Sequence, residues 1–298
     1  MKPGRKLKMG MVGGGPGAFI GEVHHKAACL DGGIELVAGV SALMHNYAGY
    51  PMVKLARDLV RQNELGKIRK VVVRYSQGWL ATPLERTGQK QACWRCDPKQ
   101  SGAGCVGDIG THAANLAEYI TSLKIKEVCA ELTTFVKGRK VDDDISCLLR
   151  FSNGARGLLG ASQICIGEEN GLAIWVYGEQ KSLEWHQEHP NCLYVKEPDG
   201  PVQLWQRGNN YVAAKSPAAA RATRLPQGHP EAFLEAFANV YCNFADTIRA
   251  KLTKTKPDKL AMDFPDVEDG LRGMLFIDAV LTSAKNRRKW TKMRTPGH

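Results

Sequence analysis

Leu7-Lys8-Met9-Gly10-Met11-Val12-Gly13-Gly14-Gly15-Pro16-Gly17-Ala18-Phe19-Ile20-Gly21 is the stretch that decides the fold class. The apolar run Leu7–Val12 feeds a glycine-rich turn, Glu22–Leu30 follows with a helical pattern, and Ile34–Val40 reads as a buried strand closed by Ser41. Strand, glycine loop, helix and strand make one βαβ unit. Without side chains the loop turns sharply and brings backbone N–H groups toward a pyrophosphate, which the helix N-terminus also favours. A glycine-rich turn with no ligand is the plainer reading of the same residues. The acidic residue that often binds the adenosine ribose is absent, since Ser41 and Ala42 stand where it is sought.

Outward from this unit the pattern changes. Pro51–Asn63 is an amphipathic helix and Ile68–Tyr75 a strand. Further strands are expected at Leu132–Val136, Ile145–Phe151, Ala155–Gln163, Leu172–Tyr177, Ser182–Gln187 and Cys192–Val195, with Asn153-Gly154 as a hairpin turn. Gly208–Ala222 reads as a loop or lid. Glu231–Leu252 and Val267–Lys285 read as long helices that return Phe233, Phe237, Val240, Phe244, Leu271, Leu275 and Ile277 to the core. The expected class is α/β with an α+β second domain. A truncated Rossmann βαβ unit (residues 1–50) precedes an open, mainly antiparallel sheet with helices on one face (residues 51–298).

The 298 residues are roughly two domains at ~150 each, and 43% hydrophobic with 24% charged residues is ordinary globular composition. No apolar stretch reaches the ~18–20 residues of a membrane span. Six glycines and a proline between Met9 and Gly21 exclude a signal-peptide core behind the basic start. Nine cysteines without regular spacing point to reduced thiols and a cytoplasmic location. Cys93 and Cys96, with Cys105 nearby, lack the further ligands of a zinc site, so no metal is expected. The net charge of +11 raises nucleic acid as a partner, but no binding-module signature accompanies it, and none is expected to bind.

The chemistry-bearing stretch is Trp94-Arg95-Cys96-Asp97-Pro98-Lys99-Gln100-Ser101-Gly102-Ala103-Gly104-Cys105-Val106-Gly107-Asp108-Ile109-Gly110-Thr111-His112, leading into a helix through Ala113–Leu123. Asp108 and His112, four apart, share one helix face, and a carboxylate beside an imidazole suits proton transfer near neutral pH. The competing reading makes Asp108 a helix cap and His112 a packed or solvated residue.

With these residues the chain resembles the Gfo/Idh/MocA oxidoreductases, NAD(P)-dependent dehydrogenases of sugars, inositols and related polyols. The resemblance rests on Gly13-Gly14-Gly15 through Ile20-Gly21-Glu22-Val23-His24, on the Trp94–His112 run, on Asp142-Asp143-Asp144 and on Gly228-His229-Pro230-Glu231. It implies Asp108 and His112 as catalytic residues and Gly13, Gly15 and Gly21 as cofactor-binding residues for NAD or NADP. His45, Tyr50, Arg95 and His229 are implied as substrate-binding residues. It further implies a polyol or sugar substrate and a homodimer or higher homo-oligomer paired through the open sheet face. The family's lysine has no match, because most of the Rossmann domain is missing between Ala42 and Leu43, and neither Lys90 nor Lys99 has a geometric reason to replace it. Two readings follow: a family oxidoreductase, or an inactive remnant that binds a polyol or dimerises as a scaffold.

Overall fold

The computed structural model describes residues 6–13, 19–41, 44–287 and 289–294. The chain divides into two compact units, Met1–Asp58 with Gln206–Asp266, and Leu59–Trp205 with Val267–His298. The first unit opens with β1 (Leu7–Gly13), α1 (Phe19–Cys29) and β2 (Ile34–Ser41). The helix α2 (Pro51–Arg61) leads into the second unit, which holds β3 (Lys70–Ser76), α3 (Lys90–Arg95), α4 (Pro98–Ser101) and α5 (Thr111–Thr121). Antiparallel strands follow as β4 (Ile125–Thr133), β5 (Asp144–Phe151), β6 (Arg156–Ser162), β7 (Gly171–Tyr177), β8 (Ser182–His186) and β9 (Cys192–Lys196). After β10 (Gln203–Gln206) the chain returns to the first unit as α6 (Asn210–Lys215), α7 (Pro217–Ala222) and α8 (Phe233–Leu252). The helix α9 (Val267–Lys285) and β11 (Thr291–Lys292) complete the second unit.

In the first unit β1 and β2 pair in parallel, as a βαβ connection requires. Two strands and one helix bury too little apolar surface to stand alone. The remedy comes from late in the chain: Phe237, Ala238, Tyr241 and Ala245 of α8 pack with Ala27, Ala28 and Ile34 into one core cluster, joined by Leu7 and Met9. A Cβ on Gly49 would fall 2.0 Å from the Ala236 carbonyl oxygen, so only glycine lets α8 pass that close. This return of residues 206–266 is why the compact units do not divide at residue 50.

The second unit is a nine-stranded sheet in the order β10-β9-β8-β7-β3-β6-β5-β4-β11. Among the described residues, β3 and β6 pair in parallel and the neighbouring pairs β4–β5, β5–β6, β3–β7, β7–β8, β8–β9 and β4–β11 are antiparallel. Burial alternates along β5: Ile145, Cys147, Leu149 and Phe151 point inward, while Ser146 and Leu148 are exposed. Helices α5 and α9 pack on the inner face through β3 and β4. On the open face Cys129, Leu148, Leu158, Val72 and Trp175 lie side by side across five strands, with Leu148 45% and Leu158 41% exposed.

Several local expectations change. The strand expected at Leu132–Val136 is β4, which starts at Ile125 because Val128 and Ala130 face the core between polar neighbours. Residues 208–222 contain α6 and α7 rather than a loop; Ser216 caps α7, its hydroxyl accepting from the Ala219 N–H at 3.0 Å, with Pro217 in the first turn. Phe244 and Leu271 stay largely exposed, and α9 instead buries Phe276, Ala279, Val280 and Ser283.

Candidate active site

The loop before α5 is built around Asp142. Its two carboxylate oxygens accept the N–H groups of Gly104 and Val106, both at 2.8 Å, and its carbonyl accepts that of Cys105 at 3.0 Å. A Cβ on Gly104 would lie 1.9 Å from the Asp142 carbonyl oxygen, so the loop closes only on glycine. The chain then makes one wide turn, Val106–Gly110, in which the Thr111 N–H reaches back five residues to the Val106 carbonyl. Such π-type turns inside α-helices are frequent at functional sites.

Asp108 sits in that wide turn and His112 in the first turn of α5. Asp108 is not a helix cap; Asp142 has that role. Its Oδ1 accepts from Arg95 Nε at 3.1 Å, and its Oδ2 accepts from Gln163 Nε2 at 2.7 Å. The Arg95 guanidinium, which also donates to Gln91 Oε1, lies 4.4 Å from the Trp94 ring centre and 5.9 Å from that of Trp79. Trp79 Nε1 donates to Gln77 Oε1 at 3.0 Å, and Gln77 Nε2 donates to Asn170 Oδ1 at 3.0 Å. The Tyr75 hydroxyl donates to the same Asn170 oxygen at 2.6 Å, while the Tyr75 ring meets His112 edge-on at 6.4 Å.

The parallel β3–β6 pairing explains the gathering. Ser76 and Ser162 lie opposite each other, so the residues leaving both strands, Gln77 and Gln163, emerge at one end of the sheet. There a carboxylate, an imidazole, a phenol and side-chain amides converge, which is equipment for binding hydroxyl groups and moving a proton between oxygen atoms. Tyr75, Gln77, Gln163 and Asn170 were not singled out from the sequence; the sequence signals were Tyr75 and Gln163 closing the 68–75 and 155–163 strand runs.

The other expected site residues lie in the first unit. Gly13 ends β1 opposite Ser41, and Gly21 is buried in α1; Gly15 falls outside the described residues, as do Ala42 and Leu43. Tyr50 is buried and stacks on Tyr47 with ring centres 6.1 Å apart. His229 is exposed, and its loop is held by Arg207, which donates to the carbonyls of Leu225, Pro226 and His229 and to Glu231. The cysteines of the Cys93–Cys96 pair serve packing: Cys96 joins Leu80, Ala92 and Val141 in a core cluster, and the Cys93 thiol donates to the Glu85 carbonyl. Among the described residues no three His, Cys, Asp or Glu side chains are grouped to hold a metal.

Burial lowers both His45 and His24 to about 4. His24 Nδ1 lies 2.8 Å from the Tyr241 hydroxyl, within the core of the first unit. Because the folded values lie below the unfolded value of 6.5, this contribution to stability is complete above pH 6.5 and is lost as the pH falls toward 4. For His45 alone it reaches about 3 kcal/mol, at 1.36 kcal/mol per unit. The melting temperature is therefore expected to fall between pH 6.5 and 4.5, before the ordinary carboxylates titrate; a flat profile there contradicts the assignment.

The GFO/IDH/MocA C-terminal domain matches residues 53–184, the segment that contains Tyr75, Arg95, Asp108, His112 and Gln163. An uncharacterized oxidoreductase of Bacillus subtilis (strain 168) is 30% identical over 258 residues, spanning 86% of this chain and 65% of the relative. The chain belongs to the GFO/IDH/MocA family. Within solved structures, an oxidoreductase from Sinorhizobium meliloti is 32% identical with a TM-score of 0.82, covering 97% of this chain and 100% of that one. An inositol dehydrogenase homolog from Azotobacter vinelandii, complexed with NAD+, is 26% identical with a TM-score of 0.84, covering 98% and 100%. The chain spans 65%, 44% and 63% of the lengths of the three curated relatives it matches.

Proposed function

We propose that this family member is an NAD(P)-dependent oxidoreductase that transfers hydride at a CH–OH group of a sugar, inositol or related polyol. The observation that carries the reading is the joining of Asp108 to Arg95 and Gln163, with His112, four residues on, edge-on to Tyr75. The S. meliloti and A. vinelandii likenesses support it, as does the NAD+ bound in the latter.

The first unit fits a dinucleotide at the pyrophosphate. β1 ends at Gly13, α1 opens at Phe19, and β2 runs parallel to β1, so a strand's carboxyl end and a helix N-terminus are both available to a pyrophosphate. Gly13 and Gly21, with Gly15 by resemblance, are the residues that would hold it. A bound nicotinamide supplies the hydride acceptor. The chain's own contribution is proton chemistry: His112 takes the carbinol hydroxyl proton on its imidazole, and Asp108, fixed through both oxygens, orients the pair. The family's lysine has no match in the sequence, so His112 is assigned that step. Arg95, His45, Tyr50 and His229 are the proposed substrate-binding residues, each by resemblance.

The test is turnover. Nicotinamide reduction that requires both the chain and a polyol such as myo-inositol is expected. Polyol binding without reduction would favour the scaffold reading, which the two-stranded sheet of the first unit supports. The exposed Leu148–Leu158 row is assigned to a homodimer, since a contiguous apolar face of this kind marks an association surface. Leu158→Asp is expected to shift sedimentation from dimer to monomer; an unchanged dimer would place the interface elsewhere. The nine thiols suit a reducing cytoplasm, and among the described residues no helix is long and apolar enough to cross a membrane.

A further inference from the structure

We propose that Gln163 is a positioning residue for Asp108, an inference that rests on the functional reading above. The Asp108 backbone is held in the wide turn, its N–H donating to the Gly104 carbonyl at 3.1 Å, but the rotation of its carboxylate is left to the side chain's own partners. Gln163 is one of those partners. It is 2% exposed, its N–H donates to the Asp143 carbonyl at 2.9 Å, and its carbonyl accepts from the Leu80 N–H at 3.0 Å. Asp143 is itself locked, with its carboxylate accepting from the N–H groups of Phe135 and Val136 and from Arg139.

The Gln163 amide therefore reaches Asp108 Oδ2 from a rigid strand end, while Arg95 reaches Oδ1 from a short helix. Two donors, one on each oxygen, fix the rotation of the carboxylate plane; Arg95 alone leaves it free to pivot about one bond. Substrate binding does not require that plane to be fixed, but proton transfer through a correctly aimed pair does. Gln163 thus acts on the chemical step through Asp108 and touches no reacting atom.

Gln163→Leu is expected to lower kcat about 10- to 100-fold, the range for losing a hydrogen bond to a charged group, with KM and nicotinamide affinity within about twofold. Gln163→Glu keeps the shape and replaces the donor with a carboxylate facing a carboxylate. Its loss should be larger at neutral pH and should shrink toward acid pH, where the introduced carboxyl gains a proton to donate. A purely structural role would not produce that pH-dependent recovery. Wild-type kcat in Gln163→Leu, or a Gln163→Glu loss that is the same at every pH, overturns the inference while leaving the functional reading in place. Should Gln163→Leu fail to fold, the isosteric Glu variant decides. A wild-type chain with no polyol-dependent turnover overturns the functional reading and this inference together.

Discussion

His112→Ala is expected to lower polyol-dependent turnover by about 10²- to 10⁴-fold, the range a positioned acid–base group contributes, while nicotinamide binding stays unchanged. The split is the informative part. His112 lies in the second unit, at the sheet end with Tyr75, whereas the glycine connection belongs to the first unit. Loss of turnover with retained cofactor affinity is the signature of a group used in the chemical step and not in binding. Asp108→Asn keeps the shape of its side chain but places an amide against the donors of Arg95 or Gln163, so a fall in kcat with little change in KM is expected there too. Near-wild-type turnover in His112→Ala would remove the imidazole from the mechanism.

Arg139→Met carries the second large effect, this time on stability. The Arg139 side chain is 1% exposed and donates to Asp143 Oδ2 at 3.2 Å, to both Glu85 oxygens at 3.2 and 3.0 Å, and to the carbonyls of Leu80 and Thr82. Asp143 is fully buried. Removing one member of such a network leaves an uncompensated buried charge, which costs about 3–5 kcal/mol. A drop of that size in the denaturant-unfolding free energy is expected, and a loss under 1 kcal/mol contradicts the assigned role. Burial alone would raise the Glu85 carboxyl, but the hydrogen bonds from Arg139, a backbone hydrogen bond and the charges of Arg139 and Arg86 together outweigh it and hold the carboxyl below its ordinary value. Its contribution is thus present above the unfolded value of 4.5 and lost as pH falls through the lower folded value, so wild type and variant should converge in acid. The same network pins Leu80 and Asp143, the two residues whose backbones hold Gln163, so the active site loosens with it.

What the sequence made legible was local. The strand–glycine–helix–strand run declares itself because each turn of it is set by neighbouring residues, and the bounds Val267–Lys285 of α9 follow from an uninterrupted helical pattern. The hairpin at Asn153-Gly154 was equally plain: Gly154 adopts φ +91°, and the Asn153 side chain accepts the Ala155 N–H. Residues 208–222 read as a loop from their Ala-rich composition, although Ser216-Pro217 starts a helix there. What stayed hidden depends on distant pairing. Nothing near β3 announces that its parallel neighbour is β6, and that pairing brings Gln163 to Asp108, 55 residues away. Nor does the local pattern of α8 show that its Phe237 and Tyr241 complete a core begun at Leu7. Arg95, Asp108 and His112 were legible as a motif; the residues that orient them arrive through the sheet.

The central claim is that this chain, whose first unit pairs two parallel strands among the described residues, holds a nicotinamide dinucleotide. Titration with NADH and with NADPH, followed by nicotinamide fluorescence and by melting temperature, tests it most directly. Saturable fluorescence change with a rise in melting temperature is predicted, because a ligand that binds only the folded state stabilises it by about 2.7 kcal/mol at a hundred times its Kd. A cooperatively melting chain that responds to neither dinucleotide would contradict the claim.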